Sequence, residues 1–224
     1  SVYIARMKAA VKEITNDKAN LEIKTCQLVR HSRAGKPVKM SKRSGSFITL
    51  NELIDEVGKD AVRFMMVSRK NDAQLDFDFE IFKNENNDNP IFYIQYANAR
   101  INSLIRNSKD KLGIKIKEKD LIQSDLNLLK NINERKIIFQ IANFPRIIEQ
   151  SATFMEPHRL SYYLRDLASV FHQYWNLKVN DKRIQILDKK EIDLSMARVA
   201  LLFSVSITIQ IGLSLLGIKA IEEL

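Results

Sequence analysis

Asn89-Pro90-Ile91-Phe92-Tyr93-Ile94-Gln95-Tyr96-Ala97-Asn98-Ala99-Arg100-Ile101 is the stretch on which the fold turns. An Asn can cap a helix by offering its side-chain oxygen to an orphan N–H. Pro at the first helical position gives up only a donor that would be idle there. Downstream, Ile94, Ala97, Ile101, Leu104 and Ile105 recur at three- and four-residue spacing, which makes one apolar stripe of an amphipathic helix. The same period returns at 125–141, 144–154, 157–177 and 193–216, interrupted by a basic, polar connector at 107–119 and a charged loop at 180–191. Without a tandem repeat of fixed length, this pattern predicts a bundle of about five helices.

Ahead of the bundle the text is mixed. Tyr3, Met7, Ala10, Val11 and Ile14 predict a helix over 1–14, and 21–29 is a β-compatible run. Thr49 can cap a short helix through Val57, Gly58 can end it, and 59–68 can form the next. Between run and cap stands Lys39-Met40-Ser41-Lys42-Arg43-Ser44-Gly45. A strand feeding a functional loop is how open α/β sheets present their sites. Two lysines flanking Met-Ser and running into a Gly turn can supply both the cations and the backbone N–H donors that a polyphosphate needs. The plainer alternative is a solvated surface turn. A P-loop is excluded, because Gly35-Lys36 is followed by Pro37 rather than Ser or Thr.

Composition bounds the rest. A hydrophobic share of 45% over 224 residues excludes disorder and allows a substantial core. The net charge of +9 favours a polyanionic partner, either RNA or an acidic membrane surface, although Lys abundance together with Asn and Ile also fits a compositional habit. The single cysteine, Cys26, can form no internal disulfide and has no zinc-spaced partner. It is expected as a small buried residue in a reducing compartment, with no structural metal. Residues 199–218 carry no charge and are long enough to cross a bilayer. Ser204, Ser206, Thr208, Gln210 and Ser214 spread through them point instead to the central helix of a bundle, closed by Gly217.

Around the lysine loop lie Gln27-Leu28-Val29-Arg30, Gly35-Lys36-Pro37-Val38, Ser46-Phe47-Ile48-Thr49-Leu50 and residues 55–64. Then come Leu75-Asp76-Phe77-Asp78, the Tyr93-Ile94-Gln95-Tyr96-Ala97-Asn98-Ala99-Arg100 run and Phe171-His172-Gln173-Tyr174-Trp175. In this order, over almost the whole chain, they resemble the arginyl-tRNA synthetases, class I enzymes with a lysine-methionine-serine-lysine loop. The resemblance implies a mainly α fold: the end of a class I Rossmann-like catalytic core (helix, strand, lysine loop) followed by an α-helical anticodon-binding bundle. It implies a core remnant at 1–50, a helical connector contacting the tRNA stem at 51–88, and an anticodon-binding domain at 89–224.

For the chemistry, the resemblance implies arginine-tRNA ligase activity with ATP as substrate, Mg2+ accompanying it, and arginine tRNA as partner, in a cytoplasmic, monomeric protein with no membrane contact. Lys42 becomes the main cation on the departing pyrophosphate and Lys39 its assistant, with Val38, Met40 and Ser41 in the ATP-binding loop. Tyr96, Arg100, Phe171, Trp175 and Leu224 become the anticodon contacts. Read without the resemblance, Tyr93, Tyr96 and Arg100 share a face outside the apolar stripe, whereas Phe171 and Trp175 fall on the core stripe with Leu160, Leu164 and Leu167. Three positions depart from the family's usual pattern: Arg43 for Ser, Asn98 for His and Leu224 for Met. The His-x-Gly-His turn that the class I reaction needs is absent, and none of the three histidines stands in such a context. The chain is therefore expected to be a C-terminal portion, inert alone. The competing readings are a fragment of a cysteinyl or methionyl enzyme and a non-catalytic RNA-binding helical module.

Overall fold

The computed structural model describes residues 2–38, 48–84, 86, 88–180 and 185–223, without the side chains of 178–180. In chain order the elements are α1 (Val2–Thr15), β1 (Val29–Arg33), β2 (Lys36–Pro37), α2 (Leu50–Val57), α3 (Lys59–Val67), β3 (Leu75–Asp78), α4 (Phe79–Lys83), α5 (Pro90–Arg106), α6 (Ser108–Leu112), α7 (Glu118–Ile122), α8 (Ile132–Ala142), α9 (Phe144–Thr153), α10 (His158–Asn180) and α11 (Ile192–Leu215).

Helix starts follow side-chain chemistry. Thr49 and Glu52 close a reciprocal capping box: the Thr49 hydroxyl accepts the Glu52 N–H at 3.2 Å, and the Glu52 carboxylate accepts the Thr49 N–H at 2.7 Å. Gly58, at φ 86°, ends α2 and lets the chain turn into α3. Asn89 accepts the Phe92 N–H at 3.3 Å ahead of Pro90, as its sequence position predicts. The single helix expected over 125–141 is broken. Asn131 and Glu134 form a second capping box that starts α8 at Ile132, and only a 3-10 turn, Leu126–Leu128, precedes it. The connector 107–119 carries α6 and the start of α7 rather than loop alone.

The strands form one three-stranded sheet of order β2-β1-β3, with β1 antiparallel to β2 and parallel to β3 in the register Val29 to Leu75 and Ser32 to Asp78. The β-compatible run 21–29 has no regular structure as far as Leu28 and becomes strand only at Val29, where β3 supplies a backbone partner. Cys26 lies in that irregular segment and is exposed, contrary to its expected burial. Because β3 falls within 51–88, that connector is not helical throughout. A small core of Leu53, Val62, Met65, Leu75, Phe77 and Phe79 joins sheet to helices.

A larger core fills the bundle, where α11 packs against α5, α8 and α10. By length and composition α11 could cross a membrane, yet Val199, Leu202, Val205, Ile209 and Leu213 are completely buried among neighbouring helices. Its one internal cation is also compensated. Arg198 donates to Glu134 at 2.7 Å and to the Gln185 carbonyl at 2.7 Å, while the Tyr174 hydroxyl donates to the same Glu134 oxygen at 3.1 Å. Glu134 is 1% exposed, so removing either partner would leave a buried charge uncompensated, typically at about 3–5 kcal/mol. The pair ties α8 to α11.

Candidate nucleic-acid interface

On α5 the face that turns away from the bundle core brings Tyr96 and Arg100 together one turn apart. The Arg100 guanidinium donates to the Tyr96 hydroxyl and lies 4.1 Å from the Tyr96 ring centroid. Trp175, on α10, meets the same guanidinium at 5.2 Å. Each such contact is worth about 0.5–2 kcal/mol according to its desolvation. Together the three side chains line an open cavity of about 490 Å³ with Ser103, Arg106, Lys111 and Glu223. Two flat rings with a planar cation between them, ringed by further cations, can stack an unpaired base and neutralise its phosphate.

The carboxyl-terminal tail forms one wall. Gln95 donates to the Lys219 carbonyl and accepts the Ile221 N–H, both at 2.8 Å. Asn98 donates to the Ile221 carbonyl at 2.8 Å and accepts the Ser206 hydroxyl at 2.7 Å. Arg106 reaches the Glu222 carbonyl at 3.2 Å and the Glu223 carboxylate at 3.3 Å. At the tail's root, the Arg63 side chain of α3 donates to the Leu216 carbonyl. A strap with no regular structure is thus held by side chains of α3 and α5. Sequence reasoning missed these holders. The available signal was Gln95 and Asn98 among apolar residues in the first quoted stretch, together with Ser206 in the apolar run of α11.

Phe171 does not line the cavity. It is completely buried, its ring 5.7 Å from Trp175 and 5.1 Å from His172, and it backs the Trp175 ring from inside the core. Tyr93 packs partly buried on the core with its ring 4.4 Å from that of His172, so it too stands behind the face rather than on it. His172 donates Nε2–H to the Tyr93 carbonyl at 3.1 Å. Burial is the main cause that pushes its pKa down to about 4, and the Arg100 charge adds to it. It is a neutral spacer under the site.

Among the lysine-loop residues, Lys39, Met40, Ser41 and Lys42 lie outside the described residues, as does Leu224. Val38 is described, and its N–H donates to the His31 carbonyl at 2.8 Å. The hairpin leading to it is pinned by Asp78, whose carboxylate accepts the N–H groups of Gly35 at 2.7 Å and Ala34 at 3.2 Å. Those bonds, the Gly35 N–H foremost, hold the Asp78 pKa below its ordinary value.

Residues 94–224 match the family model of the DALR anticodon binding domain. The chain is 47% identical over 224 residues to an arginine–tRNA ligase of Parvibaculum lavamentivorans, covering 100% of this chain and 38% of that protein. It is 45% identical over 222 residues to that of Bartonella henselae, covering 99% and 38%. The chain therefore spans 38% of the length of these curated relatives. Among solved structures, a Campylobacter jejuni protein described as an arginyl-tRNA synthetase superposes with a TM-score of 0.82 at 29% identity, over 99% of this chain and 45% of that one. Thermus thermophilus arginyl-tRNA synthetase, at 23% identity and a TM-score of 0.61 over 87% and 34%, shares the fold.

Proposed function

The chain belongs to the DALR anticodon-binding domain family, and on that premise we propose that it is part of an arginine-tRNA ligase and holds the anticodon loop of arginine tRNA. The observation that carries this reading is the Tyr96–Arg100–Trp175 cavity, which lies inside the matched region and has the flat, cationic lining an unpaired base needs. Tyr96, Arg100 and Trp175 contact the bases, with Leu224 beside them, and Phe171 supports Trp175. Residues 1–50 contribute to the adenylation site, 51–88 to the tRNA stem and 89–224 to the anticodon.

In the adenylation half, arginine attacks the α-phosphate of ATP, which enters with Mg2+, and pyrophosphate leaves. Lys42 stabilises the charge developing on pyrophosphate, Lys39 assists, and Val38, Met40 and Ser41 shape the loop around ATP. The arginine then passes to the terminal ribose of its tRNA. The same reading implies a cytoplasmic monomer with no membrane partner.

Titration of the chain with labelled arginine tRNA and a non-cognate tRNA tests the anticodon half. Preference for arginine tRNA is expected, and Trp175→Ala should remove about 1–3 kcal/mol of binding, the worth of one base stack. Equal affinity for every polyanion would overturn it. The lysine loop is tested in a protein carrying this chain at its relatives' full length. Lys42→Ala should lower tRNA-dependent ATP–pyrophosphate exchange about 100-fold or more while ATP affinity changes much less. A defect lying wholly in ATP binding would withdraw the catalytic role.

A further inference from the structure

A second cavity, of about 480 Å³, opens where α3, the first residue of α5 and the start of α10 meet. Its floor is buried: Phe64 is 2% exposed, Ser161 is 1% exposed, and the Ser161 hydroxyl lies 3.2 Å from the His158 carbonyl of its own helix and 3.4 Å from the Val67 carbonyl of α3. Arg69 and Arg165 stand on its walls with Tyr162 and Asp166. Neighbouring cations on this face find carboxylates, Lys70 with Asp72 at 3.0 Å and Arg159 with Glu156 at 2.5 Å. Arg69 and Arg165 make no ion pair or side-chain hydrogen bond among the described residues, although Asp166 shares the lining.

The donors narrow the ligand class. Ser68 commits its hydroxyl hydrogen to the Met65 carbonyl and Ser161 to the His158 and Val67 carbonyls, so the uncommitted donors are two guanidiniums and one phenol. Such a set suits an anion with several oxygens rather than an uncharged base edge. Two cations against one carboxylate leave a single net positive charge, which balances a phosphodiester better than a dianionic monoester. The cavity is open, as a continuous backbone requires. It also shares its walls with the aromatic site: Pro90 and Arg165 lie on the same two helices, α5 and α10, that carry Tyr96, Arg100 and Trp175. From Pro90 to Tyr96 and Arg100 the rise along α5 is about 9–15 Å, a reach of a few nucleotides.

We infer that Arg69 and Arg165 clamp a backbone phosphodiester of the same RNA whose bases enter the Tyr96–Trp175 cavity, giving the interface a second, sequence-independent anchor. The inference rests on the RNA-binding reading above and deepens it. Its test is the salt dependence of tRNA affinity for the whole chain and for Arg69→Gln, Arg165→Gln and Asp166→Asn, with melting curves as a check on folding. Each arginine variant should weaken cognate and non-cognate tRNA by the same factor and reduce the slope of log K against log salt by about 0.7–0.9, the value for one lost phosphate contact. Asp166→Asn should strengthen both. Unchanged slopes in folded Arg69→Gln and Arg165→Gln would overturn the clamp while leaving the anticodon reading intact. Loss confined to arginine tRNA would overturn it as well, since a phosphate contact carries no sequence information. Failure of the anticodon reading shows separately, as a Trp175→Ala variant that binds like the parent.

Discussion

Phe171 and Trp175 lie four residues apart on one helix and meet different fates. Periodicity put both on the core stripe, and resemblance to a known family put both on the binding face. The structure divides them, burying the Phe171 ring completely and leaving the Trp175 ring at the cavity. Neither kind of reading could separate them, because a helix stripe is broad enough for its edge residue to touch core and solvent at once. Tyr96 and Arg100 were legible because they sit clear of the stripe. Phe171→Ala should therefore cost about 3–5 kcal/mol of stability, the usual price of emptying a filled aromatic site. Trp175→Ala should move the denaturant midpoint much less. Comparable midpoints for the two variants would return Trp175 to the core.

At the scale of elements, legibility followed local chemistry. Thr49 with Glu52, Gly58 and Asn89-Pro90 each announce a boundary through groups a few residues apart, and all three boundaries stand where the sequence puts them. The run 21–28 failed because a strand needs a partner distant in sequence, and β3 reaches only residues 29–32. The tail strap was illegible for the same reason, since its bonds span more than a hundred residues. Gly217 is where the strap leaves α11, at φ 72°, and a Cβ there would come within 2.5 Å of the Arg63 side chain that holds the Leu216 carbonyl. Gly217→Ala should thus destabilise by more than about 1 kcal/mol, through backbone strain and displacement of Arg63. It should also weaken tRNA binding, because the strap that forms one wall of the cavity is displaced at its root. Chemical denaturation and tRNA titration of the one variant check both, and a variant with parental stability would show that Arg63 yields freely.

For the whole molecule, composition foretold a well-packed chain but not its response to acid, which depends on where three scattered histidines end up. Burial lowers the pKa of all three, and that of His172 to about 4. Between that value and the ordinary value near 6.5, the unfolded chain binds a proton at His172 that the folded chain refuses. Stability therefore rises with pH across this window, is complete above it, and is lost as pH falls through it. The His172 share is at most about 3 kcal/mol, with His31 and His158 adding in the same direction. Carboxylates act lower. Glu56, held down to about 2 first by its bond from Arg33 and then by that from Lys83, contributes stability that is complete above the ordinary carboxylate range and is lost progressively as pH falls from that range through the lowered value. The urea midpoint of the chain is expected to fall between about pH 7 and about pH 4.5. His172→Gln, which can still donate to the Tyr93 carbonyl but cannot titrate, should flatten part of that fall. Superimposable pH profiles for the two proteins would mean that His172 accepts its proton without cost, and that the packing of Tyr93, Tyr96 and Phe171 around it opens before the bundle does.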